Sequence, residues 1–204
     1  LIDGGTARAG DAVINHLRNL GIGKIDHLIA THPHEDHIGG LIPVLKEFPV
    51  GKVYMPYAVH TTKTYENLLL TIMEKALNIT EVKAGLALQG GPEVKAMFVA
   101  PVGDNYSDLN NYSAVLRLTH GHVHFLFTGD AEELSEHEIL SAGANIKAHV
   151  LKVGHHGSNT STSQAFLKAV SPMIAVISVG VDNVYGHPHR EVMHRLKNQG
   201  VDIY

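Results

Sequence analysis

The chain of 204 residues contains no cysteine. Disulfides and thiolate metal sites are therefore excluded, and any metal must be held by nitrogen and oxygen. There is no excess of basic charge: 16 Lys and Arg stand against 20 Asp and Glu, a net −4. A positive field over the whole surface, of the kind that gathers long nucleic acid, is therefore missing. No apolar run approaches the length that spans a bilayer, and no signal-peptide pattern opens the chain. No linker, low-complexity segment or aromatic ladder for stacking bases is legible, since Tyr57, Tyr65, Tyr106, Tyr112 and Tyr185 are scattered. What remains is ordinary globular composition, 44% hydrophobic and 18% charged, long enough for one domain with a sizeable core. Histidine is the abundant polar residue: its 16 copies equal Lys and Arg combined. Much of the charge therefore switches on below about pH 6.5.

The densest polar stretch is Thr31-His32-Pro33-His34-Glu35-Asp36-His37. Apolar Leu28-Ile29-Ala30 leads into it and Gly39-Gly40 follow, which reads as a strand ending in a ligand loop with a helix behind. Neutral imidazole and carboxylate suit zinc, iron and manganese. The loop has donors enough for two ions, one facing His32 and His34, the other Asp36 and His37. A solvated polar turn is the bland reading, and the spacing argues against it.

Helical spacing of Val13, Ile14, Leu17 and Leu20 predicts a helix stopped by Gly21. A strand is predicted over 25–31, a short helix over 41–48, a strand over 52–55 and a helix over 64–78 with one apolar stripe. Three strands follow at 94–100, 113–119 and 122–128, the last two joined by a hairpin turn at 119–121. Glu132, Glu133, Glu136 and Glu138 mark an acidic helix over 131–141, read as a solvated face whose charges suit the helix dipole. Strands at 148–153 and 173–179 alternate with helices at 163–170 and 190–198. Both ends of the chain read as strand pieces, so a fragment of a longer protein is expected. The pattern predicts an α/β fold, an αββα sandwich of two mixed sheets between helix layers, as a single domain over 1–204.

Five segments share one design, an apolar strand that delivers polar donors at its end. They are Leu1-Ile2-Asp3, Ile29-Ala30-Thr31-His32, Leu126-Phe127-Thr128-Gly129-Asp130, Leu151-Lys152-Val153-Gly154-His155-His156, and Ile177-Ser178-Val179 running to Tyr185-Gly186-His187. Loops at a common sheet edge are where sites are built. This layout resembles the metallo-β-lactamase superfamily over nearly the whole chain. The resemblance implies metal ligands at His32, His34, Asp36 and His37, a bridging carboxylate at Asp130, and a last ligand at His155 or His156. His155 is the expected ligand and His156 a neighbour that touches substrate. Asp3 is implied to orient a ligand imidazole. The superfamily usually has another histidine before the bridging carboxylate; here Asn110-Asn111-Tyr112-Ser113 stand in that place. Asn111 or Ser113 would supply an oxygen there, or a water would. An oxygen-richer shell favours two Mn2+ ions, with Zn2+ the alternative. His120, His122 and His124 read as one face of a strand at a solvated hairpin edge.

The second half, with Leu151-Lys152-Val153-Gly154-His155-His156-Gly157-Ser158 and Tyr185-Gly186-His187-Pro188, is similar to the metallo-β-lactamase-like domain of the ComEC family of competence DNA-uptake channel proteins. That resemblance implies a phosphodiesterase that degrades the DNA strand not imported. It further implies a soluble, monomeric domain on the extracytoplasmic side of the bacterial membrane, fused to a transmembrane channel. Metal lowers the pKa of bound water to about 7, which supplies a nucleophile. Beside it Asp36 and His156 would serve catalysis, and Lys152 would clamp phosphate. Ser158, Asn159 and Ser161 would bind it before a helix, and His187 would protonate the leaving group. The alternatives are a small-molecule hydrolase (a phosphorylcholine esterase, or a lactone or β-lactam hydrolase) and a metal-binding module of a channel without catalysis.

Overall fold

A computed structural model describes residues 1–204, which form two compact units, Leu1–Val82 and Lys83–Tyr204. Each has its own sheet and its own apolar core.

The first unit runs α1 (Gly10–Asn19), β1 (Ile25–Ile29), α2 (Glu35–Ile38), α3 (Leu41–Glu47), β2 (Val50–Met55), α4 (Lys63–Glu74) and β3 (Ile79–Glu81). The strand order is β1-β2-β3 and both pairings are parallel. Ile2 adds a parallel bridge to Ile29 on the other side of β1. A mixed sheet was expected here; the sheet is wholly parallel, because a helix separates each strand from the next and crossovers return the chain in the same direction. Leu28, Ile38, Leu41, Leu45 and Leu68 fill the core. Thr62 starts α4 with its hydroxyl accepting from Tyr65 N. That helix stops short of the predicted residue 78. Ala76 turns left-handed, with φ 51°, and Met73 of the expected stripe is exposed.

Two glycine pairs set the geometry at the edge of this sheet. Gly4 N donates to His37 O and Gly40 N to Gly5 O. A methyl on Gly40 would lie 2.0 Å from Gly4 O, and one on Gly4 would lie 2.7 Å from Leu41 N. Backbone therefore rests on backbone, which brings Asp3 against the loop that carries His37.

The second unit holds β4 (Ala87–Gln89), β5 (Val94–Ala100), β6 (Val115–His120), β7 (Val123–Phe127), α5 (Glu133–Ser141), β8 (Val150–Lys152), α6 (Gln164–Val170), β9 (Ile174–Val176), α7 (Arg190–Asn198) and β10 (Asp202–Ile203). Its sheet is mixed, in the order β10-β9-β8-β7-β6-β5-β4. Pairings from β4 to β7 are antiparallel and those from β7 to β10 parallel. The β6–β7 hairpin turns at Gly121, φ 57°, with His120 opposite Val123. His120 therefore ends one strand, His122 lies in the turn and His124 in the next strand, which corrects the single-strand reading. His120 and His122 are exposed, while His124 stacks on His149 at 5.0 Å.

The acidic helix is the larger correction. Glu136 is buried and accepts hydrogen bonds from Thr162 N and Ser163 N; Glu138 accepts from the Tyr106 hydroxyl, and Glu132 from Thr160 and Asn111. These carboxylates fasten loops, and only Glu133 keeps an outward position.

Candidate metal centre

In the first unit the donors sit at the C-terminal ends of parallel strands, the edge where open α/β sheets build sites. Asp3, itself left-handed at φ 53°, accepts from Thr31 N at 2.8 Å, from Thr31 Oγ1 at 2.8 Å and from His37 Nδ1 at 2.7 Å. Burial would raise its pKa. The His37 imidazole, the Thr31 amide and His32 outweigh that and hold the carboxyl below its usual range.

This network fixes proton positions. Thr31 has one hydroxyl proton and gives it to Asp3, so toward His32 Nδ1, 3.1 Å away, it accepts. His32 thus carries its proton on Nδ1 and the lone pair on Nε2. By the same reasoning His37 donates from Nδ1, and its Nε2 faces Asp36 Oδ2, 3.8 Å away. His32 Nε2 lies 3.0 Å from His34 Nδ1. Two imidazole nitrogens on one tetrahedral ion stand about 3.3 Å apart. The pair is near that spacing with the correct nitrogen of His32 facing inward, so the residues fit a divalent ion. His32 and His37 are buried and Asp36 is exposed. His60, on the loop after β2, has its ring 5.8 Å from that of His34. Sequence reasoning missed it, although it too follows an apolar strand end.

In the second unit, Asp130 follows β7, His155 and His156 follow β8, and His187 follows β9, all at the same ends of parallel strands. Ser113 Oγ accepts from Asp130 N at 3.0 Å, so Ser113 positions the carboxylate from behind. The oxygen of Asn111 is taken by Ser135 N, and its amide donates to Glu132. Asn111 is therefore part of the α5 anchorage and offers no oxygen outward. His155 and His156 are both left-handed, at φ 47° and 53°. Such residues cost about 1–3 kcal/mol each and cluster at functional sites. His156 Nδ1 donates to Ser178 O at 2.7 Å, which turns its Nε2 toward Asp130 Oδ2, 3.3 Å away. His155 Nε2 is farther, at 4.0 Å, and its Nδ1 faces Thr160 and Glu132. The sequence expectation favoured His155; the carbonyl-oriented ring nearer Asp130 is that of His156.

His187 stands with its ring 5.6 Å from His155 and 4.7 Å from His189. Burial, then the charges of His189, His155 and His156, lower its pKa, so the ring is neutral at pH 7 and offers an N–H. Lys152 is turned inward, its Nζ 3.3 Å from Gly129 O and from Val153 O. Ser161 is buried and donates to Ala131 O, and Ser158 is buried against Thr160. Those two serines do not face outward to bind phosphate, whereas Asn159 is exposed.

The family model described as metallo-beta-lactamase superfamily matches residues 1–181. The chain belongs to the metallo-beta-lactamase superfamily. That superfamily's model crosses both units, and the α/β fold with two sheets is its fold. Among curated relatives, ComE operon protein 3 of Bacillus subtilis is 36% identical over 94% of this chain and 24% of its own length. Competence protein ComA of Neisseria gonorrhoeae is 34% identical over 100% of this chain and 27% of its own length. The chain thus spans about a quarter of the length of these relatives. Among solved structures, CmlA, a diiron beta-hydroxylase from Streptomyces venezuelae, superposes with a TM-score of 0.60 at 14% identity. The match covers 89% of this chain and 43% of that one, and it shows the shared fold. No helix of this metallo-beta-lactamase-fold chain is long and apolar enough to cross a membrane.

Proposed function

We propose that the chain is a divalent-ion-dependent phosphodiesterase that cleaves single-stranded DNA, the strand left outside during competence DNA uptake. The observation that carries this reading is the proton wiring of the His-x-His-x-Asp-His loop. Asp3, directly on His37 and through Thr31 on His32, sets both rings in ligand tautomers. On the first unit the holding set is His32, His34, Asp36 and His37; on the second it is Asp130 and His156, with His155 beside them. Divalent ions held by these residues would supply an activated water at neutral pH and offset charge on the phosphate. The imidazole-and-carboxylate donor set admits both manganese, the ion proposed here, and zinc. His187 offers its N–H as a hydrogen bond to the leaving oxygen, and Asn159 is the polar contact for a phosphate oxygen.

The competence relatives support a DNA substrate. So does α7, whose exposed face aligns Arg190, His194 and Lys197. A parent protein with a transmembrane channel, an extracytoplasmic position and a monomeric single domain over 1–204 belong to the same reading. A small phosphodiester is the second reading. It is favoured by Lys152 and Arg195, two of the basic residues available for a groove, which donate to carbonyls instead.

The test is a metal-replacement panel on linear and circular single-stranded DNA and on a p-nitrophenyl phosphodiester. Manganese should restore cleavage of all three. His187→Ala should slow DNA cleavage by about 10²–10⁴-fold and hardly affect the p-nitrophenyl ester, whose leaving group needs no proton. Turnover of the small diester alone, with every ion, would overturn the DNA reading. Asp3→Asn is expected to weaken manganese binding by about 10–100-fold, because it removes the acceptor that orients His37 and Thr31. Calorimetric titration measures this directly, and an unchanged affinity would remove Asp3 from the design.

A further inference from the structure

The loop between β9 and α7 ends in His187, but its tip has no part in the chemistry above. That tip is apolar and exposed: Val181 is 93% exposed, Val184 90% and Tyr185 74%. Single exposed apolar residues are ordinary. Three large ones within five positions make a patch that asks for an occupant.

The loop holds its shape from within. Asn183 Nδ2 donates to Gly180 O at 3.1 Å and to His187 O at 2.8 Å, while His187 N donates to Asn183 Oδ1 at 2.9 Å. The apolar side chains are thus presented by an ordered turn, and a ligand would pay little to order it. Behind the tip the rings are aligned. Tyr185 stacks on His187 at 5.7 Å and 24°, and His187 on His156 at 6.5 Å and 19°. His156 Nε2 is 3.3 Å from Asp130 Oδ2. Near-parallel rings therefore lead from that carboxylate out to solvent, and the outermost ring keeps most of its surface open.

With a divalent ion held at Asp130, as proposed above, a ligand matching this line is anionic at one end and flat and apolar two ring spacings away. A nucleotide within a strand has that form. A quaternary ammonium ester would need a cage of rings closed around it, and Tyr185 is 74% exposed. We propose that Tyr185, flanked by Val181 and Val184, is a platform on which a nucleobase next to the cleaved phosphodiester stacks. Paired bases in a duplex are stacked inward and closed to such a ring, so the platform selects unpaired strands. The proposal rests on the phosphodiesterase reading and adds to it the residue that takes a base of the substrate.

The test compares an oligothymidylate, the same strand with an abasic tract, and the oligothymidylate paired in a duplex. Binding is read by fluorescence anisotropy, separately from cleavage, for the wild type, Tyr185→Ala and Tyr185→Phe. The wild type should bind the normal strand about ten-fold tighter than the abasic one. Tyr185→Ala should erase that preference through KM, and Tyr185→Phe should keep it. A preference that survives Tyr185→Ala overturns the platform. So does a wild type that binds and cleaves both strands equally, although the phosphodiesterase reading then stands. Inhibition by phosphorylcholine that depends on Tyr185 overturns it as well. A Tyr185-dependent preference in a protein that cleaves no nucleic acid has the opposite meaning: the platform stands and the phosphodiesterase reading falls.

Discussion

Asp36→Ala is expected to lower ion-dependent cleavage of single-stranded DNA about a thousand-fold or more, with little change in stability. Charge stabilisation by a bound ion is worth several kcal/mol, and each 1.36 kcal/mol is tenfold in rate. The Asp36 side chain is 50% exposed at the start of α2, so its loss opens no core cavity. Surface changes of this kind usually stay within about 0.5 kcal/mol. Two readouts separate the cases. Thermal unfolding should be unchanged, while manganese titration should show a weakened or missing site. A variant that keeps both ion binding and full activity would remove Asp36 from the ligand set. A variant that loses activity through unfolding would show as a shifted melting curve.

Glu136→Ala is expected to cost about 3 kcal/mol or more, read as a lower urea midpoint. The side chain is 2% exposed and its two oxygens accept from consecutive amides, Thr162 N and Ser163 N. Each buried donor left without a partner costs about 1–3 kcal/mol. The segment it anchors also holds Ser161 against Ala131 and feeds α6, whose first turn is capped by Ser163. The acid has a pH signature too. Burial raises its pKa above 4.5, against the pull of Ser163, Thr162 and Arg195. The folded chain then binds the proton more tightly than the unfolded chain. The stability from this group is full below about pH 4.5 and is lost as pH rises through the higher folded value. The stability of the wild type relative to Glu136→Gln should therefore fall as pH climbs from about 4 toward neutral. A difference that grows over that range would mean the ionised form is the favoured one.

Much of the fold was legible because strand and helix periods are local. The strand over 94–100 and the helix over 190–198 stand where the pattern puts them. The short strand β3 went unread because it is three residues long with two of them exposed, which leaves no alternation to detect. The His-x-His-x-Asp-His loop was legible through its spacing alone. What spacing could not carry is direction. Whether His155 or His156 turns to Asp130 depends on two left-handed residues and on the carbonyl of Ser178, 22 residues away. Glu136 was misread for a related reason. Glutamate in a first helical turn is ordinarily solvated, and the amides that bury this one arrive 26 residues later in the chain. Ser158, Ser161 and Lys152 look like anion ligands in a linear reading, but their polar atoms serve the folding of the loop itself.

The carboxylate of Asp3 speaks to two rings at once, to His37 directly and to His32 by way of one hydroxyl. Neither ring can adopt its other tautomer without disturbing the shared acid, and through it the other ring. The pair therefore behaves as a single mechanical linkage. Where an inventory of side chains counts two independent settings, the molecule has one.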